Sequence, residues 1–175
     1  MAFKRAKVRE PLAEAALFEY AVRALASRMR TERELRRLMK LRSEPGETGE
    51  RAMDAVVLRL KELKYLSDER FAADYTRLRK EGEKFGRRRV QADLAAKGIA
   101  NEVAAPTLAA AYEGVDEVAL AREYCARKRM KKPEVEKDAA RIMGRLLRAG
   151  FSPGTVFKVL RTWGVELEEF EVEQA

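Results

Sequence analysis

The chain has 175 residues, 37 basic against 29 acidic, a formal net charge of +8 and a hydrophobic share of 46%. That is long enough for one domain or a short array of small ones with a buried core, which excludes disorder throughout. With no histidine and a single cysteine, Cys125, the usual ligands for zinc, copper or haem are missing. An internal disulfide and nucleophilic catalysis with an imidazole base are excluded as well. No cofactor is expected.

No window reaches the roughly 18 consecutive apolar residues of a membrane span, and the first residues lack a signal-peptide apolar core. A soluble cytoplasmic protein with no membrane contact is therefore expected. The pI of about 9.7 points to a polyanionic partner, although charge alone does not separate nucleic acid from an acidic protein.

Helical periodicity runs along the chain. Leu17, Tyr20, Ala21, Ala24 and Leu25 form one stripe of a helix over residues 13 to 28. Thr31 and Glu34 read as a capping box opening a second helix, with Leu35 and Leu38 inward. After the breaker-rich stretch 43–49, Met53, Val56, Val57, Leu60 and Leu63 repeat the spacing. Ser67 caps a fourth helix with Asp68 and Glu69 in its first turn and Phe71, Tyr75 and Leu78 buried. Gly82 and Gly86 separate it from a fifth helix, residues 87 to 97, with Val90 and Leu94 inward and Gly98 at the C′ position.

Asn101 is read as the cap of a sixth helix through Val103 and Leu108 toward Tyr112, with Pro106 predicting a kink or a later start. Asp116 caps a seventh carrying Val118, Leu120, Ala121 and Tyr124. Pro133 sits in the first turn of an eighth with Ala139, Ile142, Met143 and Leu146, which Gly150 ends. Ser152 and Pro153 open a ninth, with Val156, Val159, Leu160 and Trp163 inward.

These elements fall into weakly self-similar triplets. Leu94 to Ile99 matches Leu146 to Phe151 as Leu-x-x-x-Gly-apolar, with Tyr75 and Tyr124 leading the two stretches by 23 and 26 residues before the glycine. A period of about 50 residues predicts an all-α fold of three tandem three-helix repeats in an elongated, curved array. The expected boundaries are a basic N-terminal arm (1–12), repeats at 13–66, 67–114 and 115–163, and an acidic tail (164–175).

Four blocks carry a resemblance. Residues 20–35 read YAVRALASRMRTEREL and residues 65–72 read YLSDERFA. They are followed by Gly86-Arg-Arg-Arg-Val90 leading to Leu94 and Lys97-Gly98-Ile99, and by Arg148-Ala-Gly-Phe-Ser152. Together and in this order they resemble the RecX family of bacterial regulatory proteins. The resemblance implies three tandem three-helix repeats. It also implies a non-enzymatic protein that lodges in the groove of the RecA filament on single-stranded DNA and inhibits ATP hydrolysis, strand exchange and co-protease activity. The chain departs from the family pattern at Lys64, where a glycine is usual before Tyr65, and at residues 42–49, which replace a lysine-glycine corner.

Candidate partner-binding residues are cationic. Lys84, Arg87, Arg88 and Arg89 surround the start of the fifth helix; at about 100° per residue, Arg88 points away from the buried Val90. Guanidinium groups there suit phosphate or carboxylate, although cations at the positive end of a helix dipole are mildly unfavourable. Arg127, Lys128, Arg129, Lys131 and Lys132 follow the seventh helix, where a dipole-complementing role competes with partner contact. Arg28, Arg30 and Lys97 complete the set. Tyr20, Tyr75, Tyr124 and Trp163 are read as core residues rather than base-stacking platforms, and Cys125 as a packing residue. The five glutamates between Glu166 and Glu173 are read either as a disordered or loosely docked tail or as a segment that folds back on the basic surface and competes with the partner. Nothing in Gly82 to Gly86 makes a phosphate loop. The alternative to filament regulation is a direct, sequence-tolerant DNA-binding helical module. A monomer is expected.

Overall fold

The computed structural model describes residues 10–165. Among them it is all-helical: α1 (Glu14–Ser27), α2 (Glu32–Lys40), α3 (Glu47–Glu62), α4 (Asp68–Arg77), a π-helical turn (Leu78–Gly82), α5 (Arg87–Ala96), α6 (Asn101–Tyr112), α7 (Glu117–Arg127), α8 (Glu136–Arg148) and α9 (Pro153–Thr162). Most of the predicted N-terminal arm and the tail from Glu166 lie outside the described residues. The described chain divides into two compact units, residues 10–72 with Ala96–Val103, and Ala73–Ala95 with residues 104–165.

In the first unit, i, i+3, i+4 spacing brings Leu17 and Ala21 of α1, Leu35 and Met39 of α2, and Met53, Val56, Val57 and Leu60 of α3 into one core with Leu66. Burying each large side chain contributes about 1.5–3 kcal/mol before ordering entropy is subtracted. Gly49 is required where α3 meets the preceding loop, because a Cβ there would lie 1.8 Å from the Glu44 carbonyl oxygen. The α2 cap is only half of the predicted box. Thr31 Oγ1 accepts from the Glu34 amide (3.1 Å), but the Glu34 carboxylate pairs with Lys97 Nζ (2.9 Å) instead of reaching back. The Thr31 hydroxyl also donates to the Lys97 carbonyl (2.8 Å), and Asp68 Oδ1 accepts from the Glu32 amide (2.9 Å). The orphan donors of α2 are thus satisfied from across the unit.

In the second unit, Leu120, Ala121, Tyr124 and Cys125 of α7 pack with Ile142 and Leu146 of α8, Ala149, Phe151, and Val156, Val159 and Leu160 of α9. The Tyr124 ring meets Phe151 edge-on with centroids 5.8 Å apart. Asp116 caps α7 through the Val118 and Ala119 amides, and Ser152 caps α9 through the Thr155 amide. Glu117 ties the two caps together, accepting from the Ser152 amide (3.0 Å) and from the Ser152 and Thr155 hydroxyls. Burial raises the Glu117 carboxyl, and these hydrogen bonds outweigh it and hold it below its usual range.

Several local expectations are corrected. Leu63 and Leu78 are exposed, 49% and 56%. α3 stops after Leu60 has completed the stripe and Leu66 takes the next core place, while the wider π turn rotates Leu78 outward and Thr76 becomes the buried residue. Met39, rather than Leu38, completes the α2 stripe. α8 begins at Glu136, after Pro133, where Glu136 and Asp138 favour the positive helix end. Asn101 is the first residue of α6, which continues through Pro106 because Ala104 and Leu108 on either side of it are buried. From α3 onward, helix C-termini turn through left-handed residues, glycine at 98, 114, 150 and 164 but Lys64, Lys84 and Arg129 elsewhere (φ 57°, 59° and 50°). All three non-glycine exceptions are cations, placed where the negative end of a helix favours them.

Candidate partner-binding site

The start of α5 is fixed by backbone. Gly86 N–H donates to the Ala149 carbonyl (2.9 Å) at the C-terminal end of α8. A Cβ on Gly86 would lie 2.4 Å from the Gly150 oxygen, and one on Gly150 2.3 Å from the Arg89 nitrogen. Gly150 (φ 92°) closes a Schellman motif, its amide on Leu147 O and the Phe151 amide on Leu146 O. The carbonyl end of α8 therefore abuts the amide end of α5. Its partial negative charge offsets the repulsion between three arginines and their own helix dipole, which explains how residues 87–89 sit there.

With Val90 and Leu94 fully buried, Arg87, Arg88 and Arg89 are all exposed. Arg89 Nε pairs with Asp93 Oδ1 (3.0 Å). Lys84 occupies a left-handed position and reaches Glu123 on α7 (2.7 Å). One residue earlier, Glu83 receives Lys128 (3.1 Å) and Arg127 (3.6 Å), and the Lys128 hydrogen bond holds its carboxyl below the ordinary range. These pairs bring the basic stretches of α5 and of the α7 end together within the second unit.

Arg129, Lys131 and Lys132 line a hollow of about 250 Å³ with Arg141, Arg145 and Asp138. Arg141 pairs with Asp138 (3.2 Å), so five cations surround one engaged carboxylate. Arg141 and Arg145 lie outside the set predicted from the sequence, although their i, i+4 spacing, one position before Ile142 and Leu146, marks a basic row along the edge of that stripe.

The first unit holds the other three candidates, and two of them, Arg30 and Lys97, have more internal roles. Arg30 Nε donates to the Ala24 carbonyl (3.0 Å) at the end of α1. Lys97 is tied to Glu34 and stands 5.6 Å from the Phe71 ring centroid. Arg28 is exposed. In the same unit burial raises Glu32, but Lys61 and Arg36 hydrogen bonds outweigh it and hold the carboxyl low, whereas burial leaves Asp68 above its usual range. Among the described residues, no cluster of three or more His, Cys, Asp or Glu is arranged to hold a metal, and no helix is long and apolar enough to cross a membrane.

The family model of the RecX second three-helix domain matches residues 67–108. The regulatory protein RecX of Mycobacterium leprae is 31% identical over 143 residues, covering 79% of this chain and 80% of that protein. The chain belongs to the RecX family. The RecX of Geobacillus kaustophilus is 28% identical over 158 residues, which are 89% of this chain and 57% of that longer relative. The crystal structure of RecX from Lactobacillus salivarius shares the fold, with a TM-score of 0.64 and 21% identity over 86% of this chain and 96% of the other. The resemblance read from four short blocks is thereby shown at the level of the family and of its helical fold.

Proposed function

We propose that this RecX-family chain binds the RecA filament on single-stranded DNA, lodges in its groove, and modulates RecA mainly by inhibiting ATP hydrolysis, strand exchange and co-protease activity. The observation that supports this most is the exposed run of residues 87–89, presented by a helix start that backbone contact with α8 holds in place. Guanidinium groups held this way recognise phosphate or carboxylate with little loss of freedom on binding. The partner-facing set is Arg28, Arg30, Lys84, Arg87, Arg88, Arg89, Lys97 and the cations of residues 127–132. Contacts spread over several clusters raise one another's effective concentration on a repeating polymer. No chemistry of its own is required: preferring one filament state is enough to slow turnover. The protein acts as a cytoplasmic monomer without a cofactor.

The test is the single-stranded-DNA-dependent ATPase of the cognate RecA, titrated with this protein. Suppression that weakens when Arg87, Arg88 and Arg89 are all replaced by alanine supports the reading. Normal ATPase and strand exchange at saturating protein refute it. The basic hollow favours a second reading, direct sequence-tolerant DNA binding. Tighter binding to naked single-stranded DNA than to the assembled filament, at one fixed salt concentration, selects that one.

A further inference from the structure

One carboxylate next to the arginine run organises two guanidinium groups. Asp93 lies on α5 with its side chain 16% exposed. Its Oδ1 takes Arg89 Nε at 3.0 Å; its Oδ2 accepts from the Tyr75 hydroxyl at 3.2 Å and faces Arg79 Nε at 3.8 Å. The Arg79 guanidinium stands 4.9 Å from the Tyr75 ring centroid and 5.6 Å from that of Phe85, and the Arg89 guanidinium is also 5.6 Å from Phe85. The π turn fixes this geometry, since the Phe85 amide donates to the Arg79 carbonyl (3.1 Å). A guanidinium whose Nε and face are engaged keeps its terminal N–H donors for a fork with an oxyanion.

We propose that Asp93 is a positioning residue, and that Arg79 and Arg89, held by it on the Phe85 ring, form a binding site for a backbone phosphate of single-stranded nucleic acid. Two guanidinium groups and one carboxylate leave one positive charge, which matches one phosphodiester. The adjoining exposed Arg87 and Arg88 suit the next charges of a repeating strand better than an isolated protein carboxylate. The inference deepens the basic-face reading of α5 and is tested without RecA, so the two fail separately.

The assay is fluorescence anisotropy of a labelled oligothymidylate with the full chain across a range of salt. Charge alone predicts that Asp93→Asn binds more tightly, as the exposed Glu113→Gln, outside the cluster, should. Positioning predicts the opposite, a loss of about fivefold for Asp93→Asn. Tyr75→Phe, which keeps every charge, should weaken binding in the same direction but less. Arg79→Ala should flatten the slope of log affinity against log salt by about 0.7, and Arg79→Lys should restore the slope without the full affinity. Circular dichroism melts show whether each variant is folded, and Tyr75→Phe and Arg79→Lys decide the question if Asp93→Asn is not. Tighter or unchanged binding by folded Asp93→Asn overturns the positioning role. An unchanged slope for Arg79→Ala, or no oligothymidylate binding by the native chain at low salt, overturns the phosphate site while leaving filament regulation standing.

Discussion

Replacing Gly150 by alanine should be among the most damaging single-methyl changes in the second unit, and its cost separates into two measurable parts. The first part is conformational. Gly150 has φ 92°, and a left-handed backbone costs an L-residue about 1–2 kcal/mol. Gly114 isolates this part, because it has φ 64° and open space where a Cβ would go. The second part is steric. The new Cβ would lie 2.3 Å from the Arg89 backbone nitrogen, so α5 and the end of α8 must separate and the Gly86–Ala149 hydrogen bond must stretch. Gly86→Ala isolates that part: no positive φ is involved, but the Cβ would be 2.4 Å from the Gly150 oxygen. Overpacking against backbone costs about 1–3 kcal/mol. Urea unfolding should therefore rank Gly114→Ala near 1 kcal/mol, Gly86→Ala near 2, and Gly150→Ala highest, at about 2–5, a large share of the 5–15 kcal/mol typical of a domain. The double variant at 86 and 150 should fall short of the sum, because both methyls open the same contact. If Gly150→Ala is no worse than Gly114→Ala, close helix-end packing does not hold the start of α5.

Three further outcomes are expected. Lys64→Gly should raise the urea midpoint, gaining about 1 kcal/mol, because Lys64 sits at φ 57° where glycine carries no steric penalty. Phe151→Ala should cost about 3–5 kcal/mol, whereas Leu63→Ala, at a side chain 49% exposed, should cost far less in the same assay. Glu117 contributes stability that is fully present above its ordinary value of 4.5 and is lost as pH falls through its lowered folded value. Thermal melts followed from neutral to acidic pH should show Glu117→Gln less stable than the native chain near neutrality and less sensitive to acid below 4.5; parallel profiles would refute the assignment.

What was legible in the sequence was what short-range rules decide. Thr31, Asp116 and Ser152 cap helices because a short oxygen side chain before an apolar stripe has few better uses, and Gly98 and Gly150 take left-handed turns that exclude most other residues. The failures share a cause. Leu63 and Leu78 were placed by extending a constant rotation per residue past a helix end and into a π turn, where that rotation no longer holds. Lys84 and Arg129 are not legible as turn residues because the glycine rule does not look for cations, and Lys64 stands out only as a departure from the family's glycine. At the site, the exposure of residues 87–89 followed from the burial of Val90, which is local. The Asp93 cluster and the hollow beside Lys132 depend on residues from different elements, so no spacing along the chain could have shown them.

The chain's single thiol makes it its own unfolding clock. Cys125 is 2% exposed inside the core of the second unit, and burial pushes its ionisation up, so a disulfide reagent reaches it only when that core opens. Labelling rates would time opening of this unit alone, since the other has no sulfhydryl, and would tell whether docking on a partner tightens or loosens it. A cysteine introduced at the surface could meanwhile carry a dye without removal of the native one.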